Sequence, residues 1–154
     1  MISGIMPRTP GFATSRAIWI HALELLGIEN PVSSETELAR LVEHGLPAST
    51  VERLIRLGFQ RREVFRLVIP QRTFTHRKHR HQVLTGDESD KAVRLARVRG
   101  LAARVFGDED KAWHWLRKEK RTFGGKAPIG LLATEIGARA VEEELHRIDE
   151  GMFA

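Results

Sequence analysis

Three boxes of the form Ser/Thr-x-x-Glu stand just ahead of apolar residues at helical spacing, and they constrain the fold more than any other feature. Ser34-Glu35-Thr36-Glu37 precedes Leu38, Leu41 and Val42. Ser49-Thr50-Val51-Glu52 precedes Leu54, Ile55 and Leu57. Thr85-Gly86-Asp87-Glu88 opens a longer series that runs to Phe106. In such a box a hydroxyl and a carboxylate take backbone N–H groups that the first helical turn leaves without partners. Gly45, Gly58 and Gly107 then serve as stops. No stretch rich in Val, Ile or Thr alternates apolar and polar residues for long enough to argue for a strand pair. The chain is predicted to be all-α.

The remaining segments follow the same rules. Residues 1–12 read as a loose arm holding Pro7, Pro10 and Gly11. A first helix is predicted over residues 15–26, with Gly27 as its stop and Asn30-Pro31 as a connector. After Gly107, the acids Asp108, Glu109 and Asp110 start another helix, where the helix dipole favours negative charge. Phe123-Gly124-Gly125 is a turn, and Pro128 suits the first turn of a short helix because its missing N–H is not needed there. A last helix is predicted over residues 134–149, with Gly151 as the stop.

A chain of 154 residues fits one large domain or two small ones. Its 42% hydrophobic and 29% charged residues are the balance of a soluble globular protein. Cysteine is absent, which removes thiolate and disulfide chemistry and suits a reducing cytosol. No apolar run approaches the ~20 residues of a membrane span. Arg16, His21 and Glu24 interrupt the apolar residues that a signal peptide would need. A cytoplasmic protein is the expectation.

The net charge of +5 is local. Arg61, Arg62, Arg66, Arg72, Arg77, Lys78 and Arg80 crowd one segment whose only acid is Glu63. Such a patch concentrates a polyanion and neutralises phosphates, unless it is simply a solvated helix face. Three short helices are predicted there, over residues 50–57, 61–68 and 70–80. The last two are joined only by Ile69-Pro70-Gln71, which is the spacing of a helix-turn-helix. In that motif the second helix enters the major groove and its early residues meet base edges. Phe74 is predicted to turn to the core. Gln71, Arg72, Thr73, Thr75 and His76 are candidates for base or sugar–phosphate contact, and Arg77, Lys78 and Arg80 for phosphate contact. His76, His79 and His81 do not read as metal ligands, since three cations stand among them with no Cys and no nearby carboxylate.

The long helix after Thr85 carries Ala92, Val93, Leu95, Ala96, Val98, Leu101, Ala102, Val105 and Phe106 at core spacing, with Arg94, Arg97, Arg99 and Arg104 assigned to the other side. Its small residues Ala96, Gly100 and Ala103 belong either to the core or to a two-fold partner. The run from Val105 to Leu132 then packs Trp113, Trp115, a double glycine and Pro128 together without a nucleophile–base pair, a metal-ligand cluster or a phosphate loop. Lys126 resembles the end of a phosphate loop only superficially, because Ala127 follows it and Lys120 stands where the first glycine belongs. Trp113 and Trp115 are two apart, so one is predicted in the core and the other nearer the surface. Shape without chemistry points to recognition rather than catalysis, and no enzyme activity, cofactor or metal is expected.

Leu95-Ala96-Arg97-Val98, Val105-Phe106-Gly107-Asp108, Lys111-Ala112 with Trp115-Leu116, and Phe123-Gly124-Gly125-Lys126-Ala127-Pro128 resemble the Xre/MbcA/ParS antitoxins. So do Leu131-Leu132-Ala133-Thr134, Gly137 and Val141-Glu142-Glu143, and upstream Ile69 to Phe74, Leu84-Thr85 and Asp87 to Asp90. The resemblance covers about residues 45–151 and is weak before them. It implies an Xre-like helix-turn-helix domain followed by a small helical toxin-binding domain. The division it suggests is residues 1–33 as an arm and helix, 34–84 as the DNA-binding region, and 85–154 for dimerisation and toxin binding. It further implies an antitoxin of a type II toxin–antitoxin pair that represses its own operon, acting as a homodimer. The partners it implies are operator DNA and a toxin related to ADP-ribosyltransferases, either RES-like and NAD-degrading or ParT-like. The toxin-binding candidates are Trp115, Arg121, Lys126, Glu142, Leu145, Ile148, Met152 and Phe153. Met152 and Phe153, beyond Gly151, either fold back on their own core or cover the toxin's cleft. The competing function is a helix-turn-helix regulator whose C-terminal part only dimerises.

Overall fold

The computed structural model describes residues 12–29 and 32–152, with side chains from 16 to 29 and 32 to 151. Eight α-helices follow in order: α1 Phe12–Leu25, α2 Glu35–His44, α3 Ser49–Arg56, α4 Arg61–Leu67, α5 Gln71–His79, α6 Gly86–Phe106, α7 Glu109–Arg117 and α8 Glu135–Met152. Short 3-10 segments at Arg121–Phe123 and Pro128–Ala133 lie between the last two. No strand occurs among the described residues, and an isolated antiparallel bridge joins Lys120 to Lys126. Nor is any described helix long and apolar enough to cross a membrane.

Local chemistry explains most of the boundaries. The Ser34 hydroxyl accepts from the Glu37 N–H at 3.2 Å. The Thr85 box is complete: Thr85 Oγ1 accepts from the Glu88 N–H and Glu88 Oε2 accepts from the Thr85 N–H. The Ser49 box does not form. Here α3 begins at Ser49 itself, behind Ala48, because backbone bonds from Thr50 to Pro47 and from Val51 to Ala48 close the first turn. A box at Gln60 and Glu63, unforeseen from the sequence, starts α4. Gly151 is no stop: α8 runs through it to Met152. A glycine in a last turn lowers helix stability by only ~1 kcal/mol when nothing after it demands a left-handed turn.

The core is built around α6. Helices α1, α2, α3, α7 and α8 all pack on it. Every residue from Ala92 to Ala102 is buried, so this helix has no solvent side along its middle. The expectation that its arginines face water fails for Arg94, Arg97 and Arg99, which are only 7%, 5% and 7% exposed. Arg104 alone among them is exposed. Buried guanidinium groups need partners, and they have them. Arg94 meets Asp90 at 2.9 Å and Glu135 at 3.1 Å, and donates to the Leu132 and Ala133 carbonyls. Arg97 meets Glu135 at 2.9 Å and Glu142 at 2.6 Å, and lies 4.7 Å from the Trp19 ring centre. Arg99 pairs with Glu109 at the start of α7. The ion pairs of α6 thus tie it to α7 and α8, and the Trp19 contact ties it to α1.

Burial alone would raise the Glu135 carboxyl, but the Arg97 charge and hydrogen bonds from Arg97 and Arg94 hold it below its ordinary 4.5. Glu142 is buried more deeply, and that burial pushes its carboxyl above 4.5 against the pull of Arg97. The small-residue face of α6 is closed within the chain. A Cβ on Gly100 would sit 3.1 Å from His21 and 3.3 Å from Leu25, both on α1. Ala96 is fully buried, so this face is not open to a two-fold partner.

Candidate nucleic-acid and partner-binding surfaces

Helices α4 and α5 form the predicted pair, with Ile69-Pro70 between them. Pro70 has φ −60° and ψ 142°, an extended conformation that ends one helix and admits the next. Phe74 is 7% exposed and stacks near Phe65, ring centres 5.9 Å apart, which fixes the inner face of α5. The rest of α5 is polar. Gln71, Arg72, Thr75, His76, His79 and Arg80 are exposed, while Thr73 is half-buried. The Thr75 hydroxyl donates to the Gln71 carbonyl at 3.0 Å, leaving its oxygen free to accept.

Two predicted phosphate contacts are already engaged by carboxylates that only the fold brings near. Arg77 pairs with Glu88 at 3.0 Å and donates to the Val83 carbonyl at 3.2 Å. Lys78 pairs with Glu52 of α3 and lies near the Phe74 ring. Glu88 therefore caps α6 with one oxygen and clamps the end of α5 with the other. Gln71, Arg72, His76 and Arg80 are together and open, while Arg77 and Lys78 set how α5 sits on its neighbours. Among the described residues no group of three or more His, Cys, Asp or Glu side chains is placed to hold a metal ion.

Both tryptophans of α7 are half-buried, on different sides, rather than one inside and one out. Trp113 meets Phe59 edge-on at 4.8 Å and lies under Arg117, whose guanidinium is 4.3 Å from its ring centre. Arg117 donates to both Glu63 oxygens, at 2.9 and 3.2 Å, and to the Gly58 carbonyl at 2.9 Å. This seam holds α7 against the α3–α4 turn. Trp115 faces the other way, toward Phe106 and Phe123, with Lys120 above it at 5.0 Å. Burial and the neighbouring Lys118 charge hold the Lys120 amine below its ordinary value.

The C-terminal candidates divide. Arg121 and Lys126 are exposed on the hairpin whose turn Gly124 and Gly125 make at φ 63° and 83°, a region other residues resist. Trp115 stands at the base of that hairpin. Leu145 is wholly buried and Glu142 is spent on Arg97, so neither presents itself to a partner. Ile148 is half-buried against the core. The Met152 side chain and Phe153 lie outside the described residues. Glu143 and Glu150 are exposed carboxylates of α8 that stand outside the Arg97 cluster. Ile136, 83% exposed in the first turn of α8, is an apolar surface residue that the core pattern of this helix obscured.

Comparison with known proteins covers nearly all of this architecture. Residues 37–97 match the model of the antitoxin Xre-like helix-turn-helix domain. Residues 101–151 match that of the antitoxin Xre/MbcA/ParS C-terminal toxin-binding domain. A relative from Pseudomonas putida, named Antitoxin Xre, is 37% identical over 78% of this chain and 76% of its own length. Proteins of the same name from Photorhabdus laumondii and Yersinia enterocolitica are 32% and 30% identical, over 80% and 95% of this chain and 86% and 96% of theirs.

Proposed function

The chain belongs to the Xre antitoxin family, with an Xre-like helix-turn-helix domain followed by a toxin-binding domain, and from that premise we propose that it blocks a cognate toxin and represses its own operon. The observation that carries the reading is one chain holding both an open basic helix, α5, and the C-terminal module. In this reading residues 34–84 bind operator DNA, and residues 85–154 dimerise and bind the toxin. Residues 1–33 include helix α1, which packs on α6. Gln71, Arg72 and His76 meet bases, and Arg80 meets phosphate. Arg77 and Lys78 hold α5 in register and lend their charge to the patch. The toxin is RES-like, consuming NAD, and this chain performs no catalytic step of its own. On the toxin side, Trp115, Arg121 and Lys126 act from the hairpin, while Ile148, Met152 and Phe153 act from the end of α8. Exposed Glu143 and Glu150 replace Glu142 as the acids that meet basic groups in the toxin's cleft.

The test pairs two assays, using the product of the adjacent gene. The chain should co-purify with that product and protect cells expressing it. Arg72→Ala should lose promoter binding and keep protection. Removal of residues 151–154 should weaken protection and leave promoter binding intact. A protein that binds its promoter but never protects cells would be a regulator only.

A further inference from the structure

Helix α7 carries a second basic stripe that the family match does not assign. Lys111, His114 and Lys118 stand at i, i+3 and i+7, all exposed, and none forms an ion pair among the described residues. Lys111 and His114 lie on α7 at a spacing that shares one face, and Lys118 follows as its C-cap, extended at φ −88° and ψ 130°. The adjacent face is the one Trp113 and Arg117 press against the α3–α4 turn. Arg117 pairs with Glu63 in the first turn of α4, which joins α7 to the helix-turn-helix. An open groove of about 460 Å³, lined by Trp113, His114, Arg117 and Lys118, runs along this seam. The first turn of α4, which Arg117 reaches through Glu63, exposes Arg61 and Arg62 behind an exposed Gln60. In a helix-turn-helix the first helix of the pair is the one that crosses the DNA backbone.

We propose that Lys111, His114 and Lys118 bind backbone phosphates of operator DNA beyond the stretch read by α5, so that the toxin-binding half of the chain takes part in holding DNA. This rests on the DNA-binding reading above. The partner is a polyanion with phosphates at regular spacing: three donors along α7 and its C-cap, with Arg61 and Arg62 exposed beside the Glu63 that Arg117 holds, match a strand of phosphates better than a single acidic side chain. Exposed Asp110 and Glu119 adjoin the stripe in sequence and reduce its net charge. The contribution is therefore one of affinity and register, without base specificity.

Salt dependence tests it. Each lost phosphate contact lowers the slope of log K against log salt by about 0.9. The double variant Lys111→Gln, Lys118→Gln should lower the slope on the operon's own promoter duplex by about 1 to 2. Lys111→Arg, Lys118→Arg should restore it, and cell protection should be unchanged in both. Circular dichroism matching wild type excludes misfolding as the cause. An unchanged slope, in a preparation where Arg72→Ala does lower it, overturns this inference and leaves DNA binding standing. Loss of protection with the slope unchanged also overturns it and puts the stripe on the toxin face. Wild-type protein that binds no promoter duplex removes both proposals together.

Discussion

Gly58 shows how one residue can be required by a joint. Its φ of 112° is closed to other side chains, and a Cβ there would stand 2.5 Å from Trp113 Nε1. Gly58→Ala should destabilise the chain by about 2 kcal/mol in urea unfolding, since strain and overlap act together. Gly107→Ala, where a Cβ meets nothing, should cost about 1 kcal/mol. Glu135 and Glu142 give opposite responses to pH although both meet Arg97. The Glu135 carboxyl lies below its ordinary 4.5 in the folded chain, so its stabilisation is full above 4.5 and is lost as pH falls through the depressed value. Glu142 lies above 4.5, so the folded state takes up its proton first and acidification toward 4.5 favours folding. A melting-temperature profile should therefore flatten below pH 4.5 in Glu135→Gln, and should lose its rise on approach to 4.5 in Glu142→Gln. Residue types alone did not reveal this. The carboxylates lie far along the chain from Arg97, and only the packing of α8 on α6 buries one more than the other.

Helix limits were mostly legible in the sequence because caps are local chemistry. Thr85 acts as read and Ser34 in part: its hydroxyl takes the Glu37 N–H three residues away, while the Glu37 carboxylate takes the Ser33 N–H instead of that of Ser34. Ser49 carries the same signature and caps nothing, because the Pro47-Ala48 backbone starts the turn first. Thr85→Ala should cost about 1 kcal/mol in chemical unfolding. Ser49→Ala should stay within about 0.5 kcal/mol of wild type, and a loss equal to that of Thr85→Ala would show that the box does form. The α4–α5 pair was legible for the same reason: two short helices, a proline between them, and Phe74 as the apolar anchor of an otherwise polar α5. What the pattern could not give is which cations of α5 are open. Glu52 and Glu88 reach Lys78 and Arg77 from α3 and α6, and side-chain period on one helix says nothing of carboxylates on another.

At the scale of the molecule, α6 is shared. The two family matches meet within it, one ending at 97 and the other starting at 101. Its buried middle packs on helices from both sides of that boundary. The Arg117–Glu63 grip adds a second joint. The chain should therefore unfold in one transition, with tryptophan fluorescence, which reports on Trp19, Trp113 and Trp115, coinciding with far-ultraviolet circular dichroism. Two separated transitions would show that α6 does not couple the halves. The sequence by itself determined the helical class, most helix ends, the paired helices with Phe74 turned inward, and the run from Val105 to Leu132 that carries the family likeness. Those follow from short-range rules: caps, periodicity and turn residues. Only the tertiary structure decided that Arg94, Arg97 and Arg99 lie inside, that α1 closes the small-residue face of α6, and that Leu145 is buried and Glu142 paired with Arg97. The physical reason is that a side chain's environment is set by helices distant in sequence. The Arg97 guanidinium reads as a surface group until two carboxylates and a tryptophan are folded around it.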